Sequence, residues 1–274
     1  MTACPQEARS DNMFPVPEKA APCGSIIDTH AHFNDPKFDE YRDELLTSLP
    51  EFGVHKIINC GCSDITSLDC IALSEKYSHI YAAVGYHPCS VTGEINLRAI
   101  EDMLSHEKVV AVGEIGLDYY WDKTYIDEQK KAFRAQLELA QKHNMPVIIH
   151  DRDAHADTME IIREYRPLGV FHCFSGSVET ARELIKMGMY IGIGGVLTFR
   201  NSRKLKEVAA DIPIEHILLE TDAPYLSPEP KRGKANNSSL IIYVAEALAE
   251  IKGIPTEEVL RITKQNAEKL FGFQ

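Results

Sequence analysis

Eight short apolar runs, each followed by a longer amphipathic stretch, restrict this chain to a parallel sheet with helical crossovers. The runs fall at residues 26–32, 56–62, 80–87, 109–114, 147–150, 170–173, 190–194 and 217–222. Helical periodicity fills the intervals at 39–51, 65–77, 97–105, 125–143, 154–165, 178–187 and 202–209, and continues at 239–250 and 256–270. No Gly-x-Gly-x-x-Gly loop follows any run, which counts against an open doubly wound sheet. Eight strand-helix repeats in 274 residues, 44% of them hydrophobic, predict an α/β fold, a (β/α)8 TIM barrel over 25–274. Residues 1–24, with Pro5, Pro15, Pro17 and Pro22, mixed charges and no periodicity, read as a flexible N-terminal extension outside the fold.

The runs share a second property. Several are apolar until their last positions and then end in an imidazole or a carboxylate: His30 and His32, His87, Glu114, His150, His172, Glu220 and Asp222. In such a barrel these positions line one mouth, where active sites form. Strand alternation places Asp28, His30 and His32 on one face, and Glu220 with Asp222 on another. Each residue alone has a plain alternative, as a core histidine or a helix-capping carboxylate. Together, His30, His32, Glu114, His150, His172 and Asp222 form a nitrogen and oxygen donor set too large for one tetrahedral ion. The set suits two divalent cations sharing a carboxylate, and Glu114 is best placed to bridge. Zinc, manganese or magnesium fit such donors, with the imidazoles leaning away from magnesium. Asp222 is also a candidate to accept a proton from water, so Glu114 and Asp222 are the expected catalytic pair. Glu220 has two readings, as an orienter of a ligand or as a ligand to a third cation.

A net charge of −12 argues against a broad basic surface that grips nucleic acid, although cations in a pocket would reverse the local field. The seven cysteines lack a disulfide framework or paired zinc-ribbon spacing, so reduced thiols and a cytoplasmic location are expected. Cys60-Gly61-Cys62 has no second cysteine pair to complete a site. No apolar run is long enough to cross a membrane, and the first two dozen residues lack a secretory segment. Neither a membrane nor an obligate protein partner is expected.

The ordered set Asp28-Thr29-His30-Ala31-His32, Gly85-Tyr86-His87-Pro88, Gly113-Glu114-Ile115-Gly116-Leu117-Asp118-Tyr119, His150-Asp151-Arg152, His172-Cys173-Phe174-Ser175-Gly176 and Glu220-Thr221-Asp222-Ala223-Pro224-Tyr225 resembles the TatD family of metal-dependent deoxyribonucleases. The resemblance runs from Ile26 to the C-terminus and implies an amidohydrolase-type TIM barrel that hydrolyses DNA phosphodiester bonds, often from the 3′ end. It implies one cation on His30, His32, Glu114 and Asp222, and another on Glu114, His150 and His172. It also implies that His87 faces the substrate phosphate or a further metal. Arg152, Glu220 and the Arg232 and Lys234 side chains of the loop Lys231-Arg232-Gly233-Lys234-Ala235-Asn236 are then the expected substrate contacts. Two departures stand near where substrate would lie: Cys89 where many relatives have His, and Asn236-Asn237-Ser238 where they carry an Asn-Glu-Pro-like run.

DNA is therefore the expected partner. The alternatives are another hydrolase of the superfamily, acting on an ester or amide such as an aminoacyl-tRNA ester, and a non-catalytic binding barrel. Glu114 stands where carboxylated-lysine members carry Lys, which weighs against those members. Phe33, Tyr119, Tyr120, Trp121 and Tyr225, just beyond strand ends, have two readings: stacking on bases, or packing under the loops.

Overall fold

The computed structural model describes residues 14–273. Its strands are β1 (Ile26–Ala31), β2 (Val54–Cys60), β3 (Ile80–Val84), β4 (Val109–Asp118), β5 (Val147–Arg152), β6 (Gly169–Phe171), β7 (Tyr190–Ile193) and β8 (Ile217–Leu219). All seven successive pairings, β1 with β2 through β7 with β8, are parallel. Between β8 and β1 the seam is closed by Asp222 N–H to the His30 carbonyl at 2.9 Å and His32 N–H to the Ala223 carbonyl at 2.8 Å. This is a (β/α)8 TIM barrel.

Helices α1 (Arg42–Ser48), α2 (Asp64–Lys76), α3 (Leu97–Met103), α4 (Ile126–His143), α5 (His155–Tyr165), α6 (Val178–Lys186), α7 (Arg203–Asp211), α8 (Ile241–Lys252) and α9 (Thr256–Phe271) sheathe the strands. The largest core cluster packs their inner faces against the sheet, with Phe133 and Leu137 of α4, Leu184 of α6 and Leu248 of α8 buried there. A second cluster gathers Ile58, Ala83, Ile148, Val170 and Leu218 from different strands, with Ala267, Leu270 and Phe271 of α9. By strand alternation His150 follows Ile148, His172 follows Val170 and Glu220 follows Leu218 on the same face. The polar cup therefore rests on an apolar floor.

Strand ends differ from the sequence reading in two directions. β4 runs on to Asp118 instead of ending at Glu114, because Ile115 and Leu117 remain buried and pair with Ile149 and Asp151 of β5. Gly116 makes this pairing possible: its φ is +146°, and a Cβ there would stand 1.9 Å from the His150 carbonyl oxygen. Conversely β3, β6 and β8 stop before His87, His172 and Asp222, which lie in the loops that follow. Asp222 and Cys173 take left-handed backbone, with φ of 57° and 44°, an uncommon conformation for non-glycine residues that gathers at functional sites.

Residues 14–24 do not lie outside the fold. Phe14 is 6% exposed in the main core and stacks on Tyr41 at 5.8 Å, and the Pro15 carbonyl accepts from Asn237 Nδ2 at 2.8 Å. The segment holds few apolar groups, but Phe14 and Ala21 are enough to anchor it. Residues 1–13, the rest of the expected extension, lie outside the described residues. No helix among the described residues is long and apolar enough to cross a membrane.

Candidate active site

Glu114 is the hub of the mouth. Its two oxygens face different imidazoles: Oε2 lies 3.3 Å from His30 Nε2 and 3.4 Å from His32 Nε2, while Oε1 lies 2.8 Å from His150 Nδ1 and 3.0 Å from His172 Nε2. Asp222 Oδ1 completes the first group at 3.7 Å from His30 Nε2 and 3.5 Å from His32 Nε2. All six residues read from the sequence as metal ligands thus converge. His30 Nε2 and His32 Nε2 stand 3.0 Å apart, and the His30 and His172 rings stack at 3.8 Å. Donors bound at about 2.0–2.1 Å to one small divalent ion are roughly 3 Å from each other. The spacing and the mixed imidazole-carboxylate chemistry therefore fit cations. Geometrically distinct sets close enough to hold one include His30-His32-Asp222, His30-Glu114-His172 and His87-Glu114-His150.

Two of the nitrogens turned away from the metal-binding atoms, on His32 and His150, have hydrogen-bond partners of their own. His32 Nδ1 lies 3.0 Å from the Cys60 carbonyl oxygen, so it carries the proton and leaves Nε2 free to bind an ion. His150 Nε2 meets Asp118 Oδ2 at 3.0 Å. Glu220 Oε1 accepts from Cys173 N–H at 2.6 Å and lies 3.6 Å from His172 Nδ1. Glu220, expected among the substrate contacts, is 1% exposed and lies beneath His172, so its place is that of an orienting group.

Burial opposes charge on Glu114, but the surrounding imidazoles, with the hydrogen bond from His150, outweigh it and hold this carboxyl well below its usual range. Burial likewise opposes ionisation of Asp222, yet the bond to His32 and the nearby His172 and His30 keep it anionic at neutral pH. Both carboxyls are thus ready to bind cations. Asp222 has 20% of its side chain exposed and is the most accessible member of the His30-His32-Asp222 set.

His87 is different. Burial above all pushes it down to about 3, so the ring is neutral, and Nδ1 accepts from Cys89 N–H at 3.1 Å. The ring proton consequently sits on Nε2, 3.6 Å from Glu114 Oε1, where it is a hydrogen-bond donor and not a lone pair for a metal. Of the two roles the resemblance implied, this geometry speaks against that of a metal ligand. Cys89, exposed, joins His87 and Asp118 in a further set of possible ligands, but Asp118 is already engaged at both oxygens, by His150 and by Tyr120 N–H at 2.9 Å.

The sequence reading includes Asp118 in the motif after Glu114 but gives it no role. The alternation of Glu114, Gly116 and Asp118 along one strand was the available signal. Asp118→Asn, which weakens the hold on His150, is expected to lower metal affinity about 10- to 100-fold in competition with a chelating dye, with the circular dichroism spectrum unchanged. An unaltered affinity would deny Asp118 that role.

Asp28 does not join the imidazoles. The register of β1 against β2 shifts between Asp28 and Ala31, which breaks the expected alternation. The Asp28 carboxylate instead accepts from Ser238 Oγ at 2.6 Å and from Thr221 Oγ1 at 2.7 Å, tying β1 to the β8 seam. Asn236, Asn237 and Ser238 are buried and structural, with Asn236 Nδ2 donating to the Thr221 carbonyl at 2.9 Å, so this departure is not a substrate contact. Arg152, the last residue of β5, and Arg232 and Lys234, on the loop after β8, are exposed, with Arg232 over the Phe199 ring at 4.1 Å. Beside His172 opens an apolar cavity of ≈ 220 Å³ lined by Cys173, Phe174, Gly192, Val196 and Leu205.

Barrel and centre together are those of a metal-dependent hydrolase. The model of the family described as TatD related DNase matches residues 27–272. Over 251 residues the chain is 44% identical to the uncharacterized metal-dependent hydrolase YabD of Bacillus subtilis, covering 90% of this chain and 98% of YabD. The crystal structure of YJJV, a TatD homologue from Escherichia coli, superimposes with a TM-score of 0.86 at 32% identity, covering 92% of this chain and 100% of that one. A TatD family hydrolase from Entamoeba histolytica gives a TM-score of 0.78 at 25% identity, over 91% of this chain and 98% of its own. The chain belongs to the TatD related DNase family.

Proposed function

We propose that this barrel is a deoxyribonuclease that hydrolyses DNA phosphodiester bonds through a two-cation centre, working from the 3′ end on single-stranded or damaged DNA. The observation that carries the reading is the division of Glu114: one oxygen serves His30 and His32, the other His150 and His172. His30, His32, Asp222 and Glu114 Oε2 would hold one ion, and His150, His172 and Glu114 Oε1 the other, with zinc, manganese or magnesium as candidates. When bound, such a pair polarises phosphoryl oxygens and lowers the pKa of water.

The chain's own groups then have separate tasks. Asp222, anionic and partly open to solvent, accepts the proton released by the attacking water. His87 donates from Nε2 to a phosphoryl oxygen and stabilises its growing charge. Arg152, Arg232 and Lys234 supply cations for flanking phosphates. A phosphodiester is favoured over a neutral ester or amide by these cations at the mouth of an otherwise acidic chain and by the description of the matching family. The unpaired thiols of Cys60, Cys62, Cys70, Cys89 and Cys173 suit a cytoplasmic enzyme.

Chelator-treated protein reconstituted with zinc, manganese or magnesium is expected to shorten a 5′-labelled oligonucleotide stepwise from its 3′ end. Faster hydrolysis of an aminoacyl ester or a small amide than of DNA, under every cation, would overturn the assignment.

A further inference from the structure

The aromatic residues beyond the strand ends separate into two classes. Phe33 and Tyr119 are buried, whereas Tyr120 and Trp121 are 53% and 69% exposed. An exposed aromatic pair beside the cup offers an apolar face to a ligand. The Tyr120 and Trp121 rings meet edge to face at 4.9 Å, and the Arg152 guanidinium lies 3.7 Å from the Tyr120 centroid and 5.3 Å from that of Trp121.

This group is fixed to the catalytic cup. Tyr120 N–H donates to Asp118 Oδ1 at 2.9 Å, and the other oxygen of that carboxylate faces His150. Tyr119 N–H donates to the Arg152 carbonyl at 2.9 Å, locking the loop after β4 to the end of β5. Elsewhere around the mouth Lys37 lies over Tyr225 and Arg232 over Phe199, both at 4.1 Å. A cation laid on a ring combines phosphate attraction with a flat stacking face.

We infer that Tyr120, Trp121 and Arg152 form a stacking platform for an unpaired nucleobase next to the phosphate held in the cup. The inference rests on DNA being the substrate. Arg152, laid on Tyr120, meets the backbone phosphate, while the exposed indole of Trp121, held edge to face by Tyr120, takes the face of the base. A base still paired in a duplex is stacked between its neighbours and does not offer that face. The platform therefore selects for single-stranded ends.

Trp121 is the only tryptophan in the chain, so its fluorescence reports the event directly. With the metal-loaded full chain and a phosphorothioate oligo(dT), which resists hydrolysis, saturable quenching is expected. An abasic oligomer of the same length and backbone should give little. By anisotropy of a labelled oligo(dT), Tyr120→Ala and Trp121→Ala should each raise Kd by roughly 5- to 150-fold, with Trp121→Phe retaining most of the affinity. Equal quenching by the abasic oligomer, or unchanged Kd in both alanine variants, would overturn the platform whatever the nuclease assay gives. Base-dependent quenching in a protein that cleaves no DNA under any divalent cation would keep the platform and remove the nuclease reading instead.

Discussion

Glu114→Gln is expected to lower kcat/KM for a phosphodiester by three orders of magnitude or more, a loss on the order of 4 kcal/mol of transition-state stabilisation. The change preserves shape and removes the charge. Four imidazole nitrogens surround this carboxylate within 3.4 Å, so the neutral amide leaves them without their shared anion and the two halves of the cup without their link. Bound metal should fall in parallel, as elemental analysis of dialysed protein will read, while the urea midpoint of the metal-free protein moves little. Activity within tenfold of the parent at full metal content would contradict the bridging role.

Phe33→Ala is expected to cost about 3–5 kcal/mol of stability, seen as a lowered midpoint in urea unfolding. Phe33 is fully buried, packs on Phe38 at 5.0 Å, and donates its N–H to Asn59 Oδ1 at 2.6 Å. It also follows His32 directly, so the cavity left by its ring opens under one wall of the cup. Metal affinity should therefore weaken together with stability. A variant whose urea midpoint equals that of the parent would show that this ring does not anchor the end of β1.

What the sequence makes legible is local in origin. An apolar run ending in His150 or His172 is conspicuous because an imidazole is costly in that setting unless it has a partner. The barrel follows from counting such runs and the helices between them. Asp28 shows where this reasoning stops: its partners Thr221 and Ser238 are 193 and 210 residues away, and a register shift in β1 turns it from the cup. Asn236 and Ser238 read as near substrate for the same reason, since a polar loop residue bonded to a distant carboxylate or carbonyl looks in sequence like one that faces solvent. The packed segment 14–24 has no periodicity to announce it. Its anchors are isolated contacts, such as the ring of Phe14 against Tyr41 and the Pro15 carbonyl with Asn237. The exposed pair Tyr120-Trp121 and the buried Tyr119 are adjacent in the chain, and only the direction of the loop distinguishes them.

The account depends on two cations sharing Glu114, and anomalous diffraction from crystals grown with manganese tests this most directly. Two peaks roughly 3.5–4 Å apart are predicted. One should be ringed by His30, His32 and Asp222, the other by His150 and His172, with one Glu114 oxygen directed to each. A single peak away from Glu114, or none at full manganese loading, would contradict it.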